Sequence, residues 1–229
     1  MIRNLEIGKR LMLITHRTEH YTEYEEAEMF LQGGGRWVQL RMKQGLDLEM
    51  AKRIAALCAK YDALFCIDDD VQMALACSAS AVHLGKNDMP IAEAKAIVEA
   101  ANPEKPFWIG ATANTFEDIQ NAARQGASYI GLGPFRFTQT KQKLSPVLGL
   151  EGYKHIVGKC ADEGIMLPIY AIGGITEEDI PDLMRTGITG IAVSGTIVQA
   201  ENPIEETQRL LQLVASHIRS SFRNKKEVK

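Results

Sequence analysis

The chain has 229 residues, 45% of them hydrophobic and 24% charged, with a formal net charge of -3. This is ordinary globular composition, and it gives bulk electrostatics no role in drawing in nucleic acid or a membrane surface. Apolar runs are too short for a membrane span, and LMLIT near the start is too short for a signal core, so a cytoplasmic chain is expected.

Strand-like runs recur along the chain: LMLITH (11–16), WVQLR (37–41), ALFCID (63–68), AVHLG (81–85), FWIGAT (107–112), SYIGLG (128–133), PIYAIG (168–173) and GIAVSG (190–195). Helical periodicity falls between them, over 24–32, 48–60, 71–77, 90–100, 116–125, 151–163, 177–185 and 203–222. Pro90 and Pro203 sit at first-turn positions, and Thr176 with Asp179 forms a capping-box-like start. The strand runs are almost continuously apolar, as parallel strands covered by helices must be. Eight βα units in this length predict an α/β fold, a single (βα)8 TIM barrel rather than an open doubly wound sheet. One barrel domain is expected over residues 1–222, with a polar, frayed tail at 223–229. Cys58, Cys66, Cys77 and Cys160 form no CxxC pair and read as buried thiols.

Barrel chemistry belongs at the C-terminal ends of the strands. The second strand ends in Gln39, Arg41 and Lys43, whose alternation points them to one side, where an amide and two cations suit an anionic ligand. The third ends in Asp68-Asp69-Asp70. Helix capping explains one of those acids and leaves two. Asp69 and Asp88, on neighbouring strand ends, form a plausible Mg²⁺ site, because magnesium takes one or two carboxylates plus phosphate oxygens and water. His83 reads equally well as a hydrogen-bonded core histidine, and Thr112 offers one hydroxyl at the fifth strand. Gly173-Gly174 after the seventh strand and Ser194-Gly195 after the eighth are where barrels build phosphate sites from backbone N–H groups. Between these sectors lies GLGPFRFTQTKQK (131–143), an apolar strand end that runs into hydroxyls and lysines.

The motifs QLRMK, DDD, HLGKND, GLGPFRFTQTK, AIGGI and GIAVSG occur in that order at successive strand ends. Together they resemble the thiamine phosphate synthase (thiamine-phosphate pyrophosphorylase) family, over about residues 10–215. The resemblance implies a transferase of thiamine biosynthesis. It would join 4-amino-2-methyl-5-hydroxymethylpyrimidine diphosphate to a thiazole phosphate, giving thiamine monophosphate and pyrophosphate with Mg²⁺ as cofactor. It further implies that Gln39, Arg41 and Lys43 hold the pyrimidine diphosphate and that Asp69 and Asp88 bind the metal. Thr138, Gln139 and Thr140 would meet the thiazole phosphate, and Lys141 the diphosphate. Gly174, Ser194 and Gly195 would form the phosphate cradle, and Thr112 stands where the family commonly has Ser. Arg41, Lys43 and Lys141 are the expected catalytic cations.

Two departures stand out. The family usually has Asn where this chain has Asp68, and Gln where it has Lys86. Asp68 would then either repel a diphosphate or accept from the pyrimidine amino group. Rival readings are a TenI-type thiazole tautomerase and a non-catalytic regulatory barrel that binds thiamine precursors. The expected partners are small-molecule substrates, with no nucleic acid or membrane, and a homo-oligomer is compatible with the sequence.

Overall fold

The computed structural model describes residues 6–42, 45, 47–101, 106–137 and 146–224, the last seven as backbone. Eight strands, β1 (Leu11–Ile14), β2 (Trp37–Leu40), β3 (Leu64–Asp68), β4 (Ala81–Leu84), β5 (Trp108–Ala113), β6 (Tyr129–Leu132), β7 (Ile169–Ile172) and β8 (Gly190–Val193), run parallel in chain order. β1 pairs with β8 through Leu11 and Ile191, which closes the barrel that the alternation predicts. The helices are α1 (Glu23–Gln32), α2 (Leu48–Lys60), α3 (Val71–Ala76), α4 (Ile91–Ala101), α5 (Phe116–Gln125), α6 (Gly149–Asp162), α7 (Ile180–Arg185), α8 (Gly195–Val198) and α9 (Pro203–Asn224).

Local chemistry explains the helix starts. α1 and α5 open on reciprocal capping boxes, Thr22 with Glu25 and Thr115 with Asp118. Asp47 caps α2 by accepting from the Glu49 N–H at 3.0 Å. The helix expected over 177–185 is instead a 3-10 turn at Glu177–Asp179 followed by α7, whose early Pro181 fits only a first helical turn. β1 ends at Ile14, two residues before the expected His16, and the short α8 has no counterpart among the expected helices. The segment 225–229 of the expected tail lies outside the described residues, and α9 runs two residues past the expected boundary.

Alternate strand residues turn inward. Met12, Trp37, Cys66, Ala81, Tyr129, Tyr170 and Ala192 form an interior cluster separate from the larger core beneath the helices. The Trp37 ring centroid lies 4.9 Å from both the Tyr129 and the Tyr170 ring, and the Tyr170 hydroxyl donates to the Lys9 carbonyl at 2.8 Å. This aromatic plug fills the end of the barrel where the strands begin. The opposite mouth, where the strands end, is the face on which barrels of this kind carry their sites. All four cysteines are buried and free, as expected. Among the described residues no helix is long and apolar enough to cross a membrane.

Candidate active site

The ends of β2, β3 and β4 meet in one corner of the mouth. Gln39 is 3% exposed and donates its side-chain N–H to Asp68 Oδ1 at 2.6 Å. Arg41 Nε lies 3.3 Å from Asp68 Oδ2. Asp68 therefore holds the amide with one oxygen and the guanidinium with the other. The buried Thr15 hydroxyl fixes the β2 end by accepting from Arg41 N–H at 3.0 Å.

The three consecutive acids of β3 divide their tasks. Asp70 caps α3, accepting from Met73 N–H at 2.9 Å. Asp69 takes a left-handed backbone conformation, φ 67°, with its N–H donating to the His83 carbonyl at 2.8 Å. That twist brings its carboxyl against Asp88, and Asp88 also accepts from the Gly85 N–H at 2.6 Å. Burial, then the Asp68 charge, then the contact with Asp88 hold the Asp69 carboxyl well above the usual carboxylate range. Asp69 and Asp88 are thus in contact, and Asp88 closes the 85–88 turn.

This corner lines a cavity of about 600 Å³, with Arg41, Asp68, Asp69 and Asp70 joined by Met42 and Met89. Asp68 pairs with Arg41 there while Asp69 meets Asp88, so the Asp69–Asp88 donor set fits a hard divalent cation. Among the described residues no cluster of three or more His, Cys, Asp or Glu makes an all-protein metal cage. A metal at Asp69 and Asp88 would therefore complete its shell with ligand oxygens and water, which is the usual habit of magnesium.

A second sector lies at β7 and β8. Gly173 and Gly174 both have positive φ, 98° and 67°. The Ser194 Oγ is buried and, among the described residues, has no hydrogen-bond partner. Thr196 Oγ1 donates to the Ile175 carbonyl at 2.6 Å, tying the two turns together. A neutral hydroxyl with an unused valence beside glycine-rich backbone can accept a phosphate at little steric cost. Gly174, Ser194 and Gly195 are accordingly brought to one side of the mouth.

Thr112 lies between the sectors, and its hydroxyl is 3.0 Å from His83 Nε2. His83 Nδ1 is 3.2 Å from the Tyr129 hydroxyl, which is 3.5 Å from Cys66 Sγ. Gly131 makes room for this chain, because a Cβ there would stand 2.9 Å from His83 Cε1. Lys43, Thr138, Gln139, Thr140 and Lys141 lie outside the described residues.

The family model for thiamine monophosphate synthase matches residues 11–197. The chain belongs to that family. It is 53% identical over 206 residues to a thiamine-phosphate synthase of Phocaeicola vulgatus, covering 89% of this chain and 97% of the relative. Identity to a thiamine-phosphate synthase of Pyrococcus furiosus is 37% over 214 residues, covering 92% of this chain and 97% of the relative. A solved thiamine phosphate pyrophosphorylase from Pyrococcus furiosus superposes with a TM-score of 0.80 at 34% identity, over 95% of this chain and 99% of that one. A 3-hexulose-6-phosphate synthase shares the fold alone, with a TM-score of 0.69 at 16% identity, over 90% of this chain and 99% of that one.

Within this thiamine monophosphate synthase family barrel, both departures from the family pattern have local partners. The charge of Asp68 is met by Arg41. Lys86 turns to Asp118 at 2.5 Å, so it adds no cation to the carboxylate corner. Asp118 also accepts from Asn114 N–H at 2.8 Å, and the Asn114 amide donates to the Gly133 carbonyl. Sequence reasoning missed this Lys86–Asp118–Asn114 brace and the Thr112–His83 contact. Both join residues far apart in the chain, and only strand order brings them together.

Proposed function

We propose that this chain is an active thiamine-phosphate synthase, coupling the pyrimidine diphosphate to the thiazole phosphate. The observation that carries the reading is the Asp69–Asp88 carboxylate pair beside Arg41. A tautomerase handling one monophosphate has no use for a second, metal-grade corner.

In this reading Arg41 and Lys43 meet the diphosphate, and Lys141 reaches it from the β6 side. Gln39, with its N–H end committed to Asp68, presents its carbonyl oxygen to the pyrimidine amino group. Magnesium at Asp69 and Asp88, when bound, supplies positive charge to the diphosphate oxygens. The thiazole phosphate sits on Gly174, Ser194 and Gly195, with Thr138, Gln139 and Thr140 as its further contacts. The thiazole nitrogen donates its lone pair to the exocyclic methylene carbon. The substitution is dissociative: the bond from that carbon to the diphosphate oxygen breaks ahead of the attack, and its electron pair leaves with pyrophosphate. No proton moves, so neither a general base nor a protein nucleophile is needed. The work of the protein is to hold two substrates in line and to match the charge that grows on the leaving group.

The test is product formation with both substrates, with and without Mg²⁺, for the wild type and Asp88→Ala. Thiamine monophosphate and pyrophosphate should appear in equal amounts, and the Mg²⁺ requirement should shift upward in the variant. Thiazole tautomerisation without coupling would establish the TenI-type reading instead. Binding of both substrates without turnover would establish a regulatory barrel. An unchanged Mg²⁺ titration in Asp88→Ala would remove the metal assignment.

A further inference from the structure

Arg136 stands where the chain leaves β6, two residues before Thr138. Its contacts reach across to the β7 turn. Phe135 N–H donates to the Ile172 carbonyl and Arg136 N–H to the Gly173 carbonyl, each at 2.9 Å. Arg136 Nη1 donates to the Gly174 carbonyl at 2.6 Å. Three successive carbonyls of the β7 end are thus taken up by two residues of the β6 arm. The guanidinium is itself fixed, forming a two-pronged pair with Asp179 at 2.8 Å on each side. Asp179 is held in turn by Thr176, whose N–H and hydroxyl reach Oδ2 at 2.9 and 3.0 Å. Burial works against ionisation of Asp179, but Arg136 and the Thr176 N–H outweigh it, and its carboxyl stays below the usual range.

A trans peptide is planar, so its C=O and N–H point in opposite directions. With the Gly173 and Gly174 carbonyls both drawn to Arg136, the N–H groups of Gly174 and Ile175 must face the other way. Among the described residues neither N–H has a hydrogen-bond partner. Both residues before those bonds have positive φ, the backbone form from which anion-binding concavities are built.

We infer that Arg136 is a positioning residue for the anion cradle at β7: it occupies the carbonyl side of the turn, so that the Gly174 and Ile175 N–H groups are presented to a phosphate monoester. This rests on the proposed function and deepens it, because the cradle is the one assigned to the thiazole phosphate. Arg136 acts through the backbone rather than by touching the ligand, and its fork geometry is what lets one side chain hold Gly174 and Asp179 together. A lysine could reach one of them as a point donor but could not hold both.

Arg136→Ala, Arg136→Lys and Asp179→Asn, in the full chain, separate the possibilities. The expected result for Arg136→Ala is a KM for thiazole phosphate raised roughly 10-fold, the scale for losing an oriented charge-assisted contact. The KM for pyrimidine diphosphate and kcat should stay near wild type. Arg136→Lys and Asp179→Asn should fall between. A merely structural role would lower the urea midpoint and leave the ratio of the two KM values unchanged, and that result would overturn the inference. So would an equal rise in both KM values. If the wild type makes no thiamine phosphate, the proposed function fails on its own. The inference is then decided by calorimetric binding of inorganic phosphate, which must be weaker in Arg136→Ala than in wild type.

Discussion

Glu26 offers a quantitative test of how the mouth is held at β1. It is 1% exposed, one oxygen accepts from His16 N–H at 2.8 Å, and the other has no partner among the described residues. Burial, with the like charge of Glu23 adding to it, lifts its pKa from 4.5 to about 7 against the opposing pull of the His16 N–H and Arg17. In an unfolded chain the carboxyl ionises near its ordinary value, so between those limits the folded state binds more protons than the unfolded one. Stability must then fall as pH rises through that window. A shift from 4.5 to about 7 corresponds to ~3 kcal/mol at roughly 1.4 kcal/mol per unit. Glu26→Gln reproduces the neutral acid at every pH. Urea unfolding of both proteins from pH 4.5 to 8.5 reads the difference. The two should be nearly equal at the acid end, and the variant should be more stable at the alkaline end by up to ~3 kcal/mol. Parallel curves across the whole range would refute the reasoning, because they would mean that Glu26 ionises in the fold at no cost.

Asp68→Ala leaves the buried Gln39 amide without its acceptor, so a stability loss of ~1–3 kcal/mol is expected, whereas Asp68→Asn keeps an acceptor and should lose less. Asp68→Ala should also raise the KM for pyrimidine diphosphate while sparing that for thiazole phosphate, and the reverse pattern in steady-state kinetics would move Asp68 out of the pyrimidine sector. Lys141→Ala should lower kcat by roughly 10²–10³, the usual scale for one preorganised donor to a leaving charge, with an unchanged circular dichroism spectrum. Near wild-type turnover would remove Lys141 from the mechanism.

The barrel was legible because its evidence is periodic. Runs such as AVHLG and GIAVSG need both faces covered, and only a ring of helices covers eight of them. Residue types at the mouth were legible for the same reason, since each run ends where polar residues begin. The division of labour among Asp68, Asp69 and Asp70 was not. It depends on a single left-handed residue at Asp69, which turns one carboxyl toward Asp88 while its neighbours face Gln39, Arg41 and α3. Nothing in three identical letters encodes that rotation. Lys86 shows the same limit: as a letter it is a cation beside a diphosphate motif, yet Asp118 at the start of α5 claims it. The missed break in 177–185 is different in kind, because Pro181 marked it and the periodicity hid it.

The two sectors of the mouth differ in sign, and that difference is a reason for the substrates to keep their places. Asp68, Asp69 and Asp88 surround the β2–β4 corner, and a phosphate monoester entering without a metal would meet carboxylates with Arg41 already engaged by one of them. At β7 and β8 the groups on offer are a neutral hydroxyl on Ser194 and backbone N–H groups, with Asp179 turned away and neutralised by Arg136. Among the described residues, a diphosphate placed there would find no carboxylate pair like Asp69 and Asp88 to share its cation. Specificity of this kind comes as much from what each site penalises as from what it attracts. On the proposed reading, the Trp37, Tyr129 and Tyr170 plug leaves the two ligands to lie side by side across the mouth, with Thr112 and His83 between the corners. On the proposed reading, that is the arrangement in which a thiazole nitrogen faces the carbon that loses pyrophosphate.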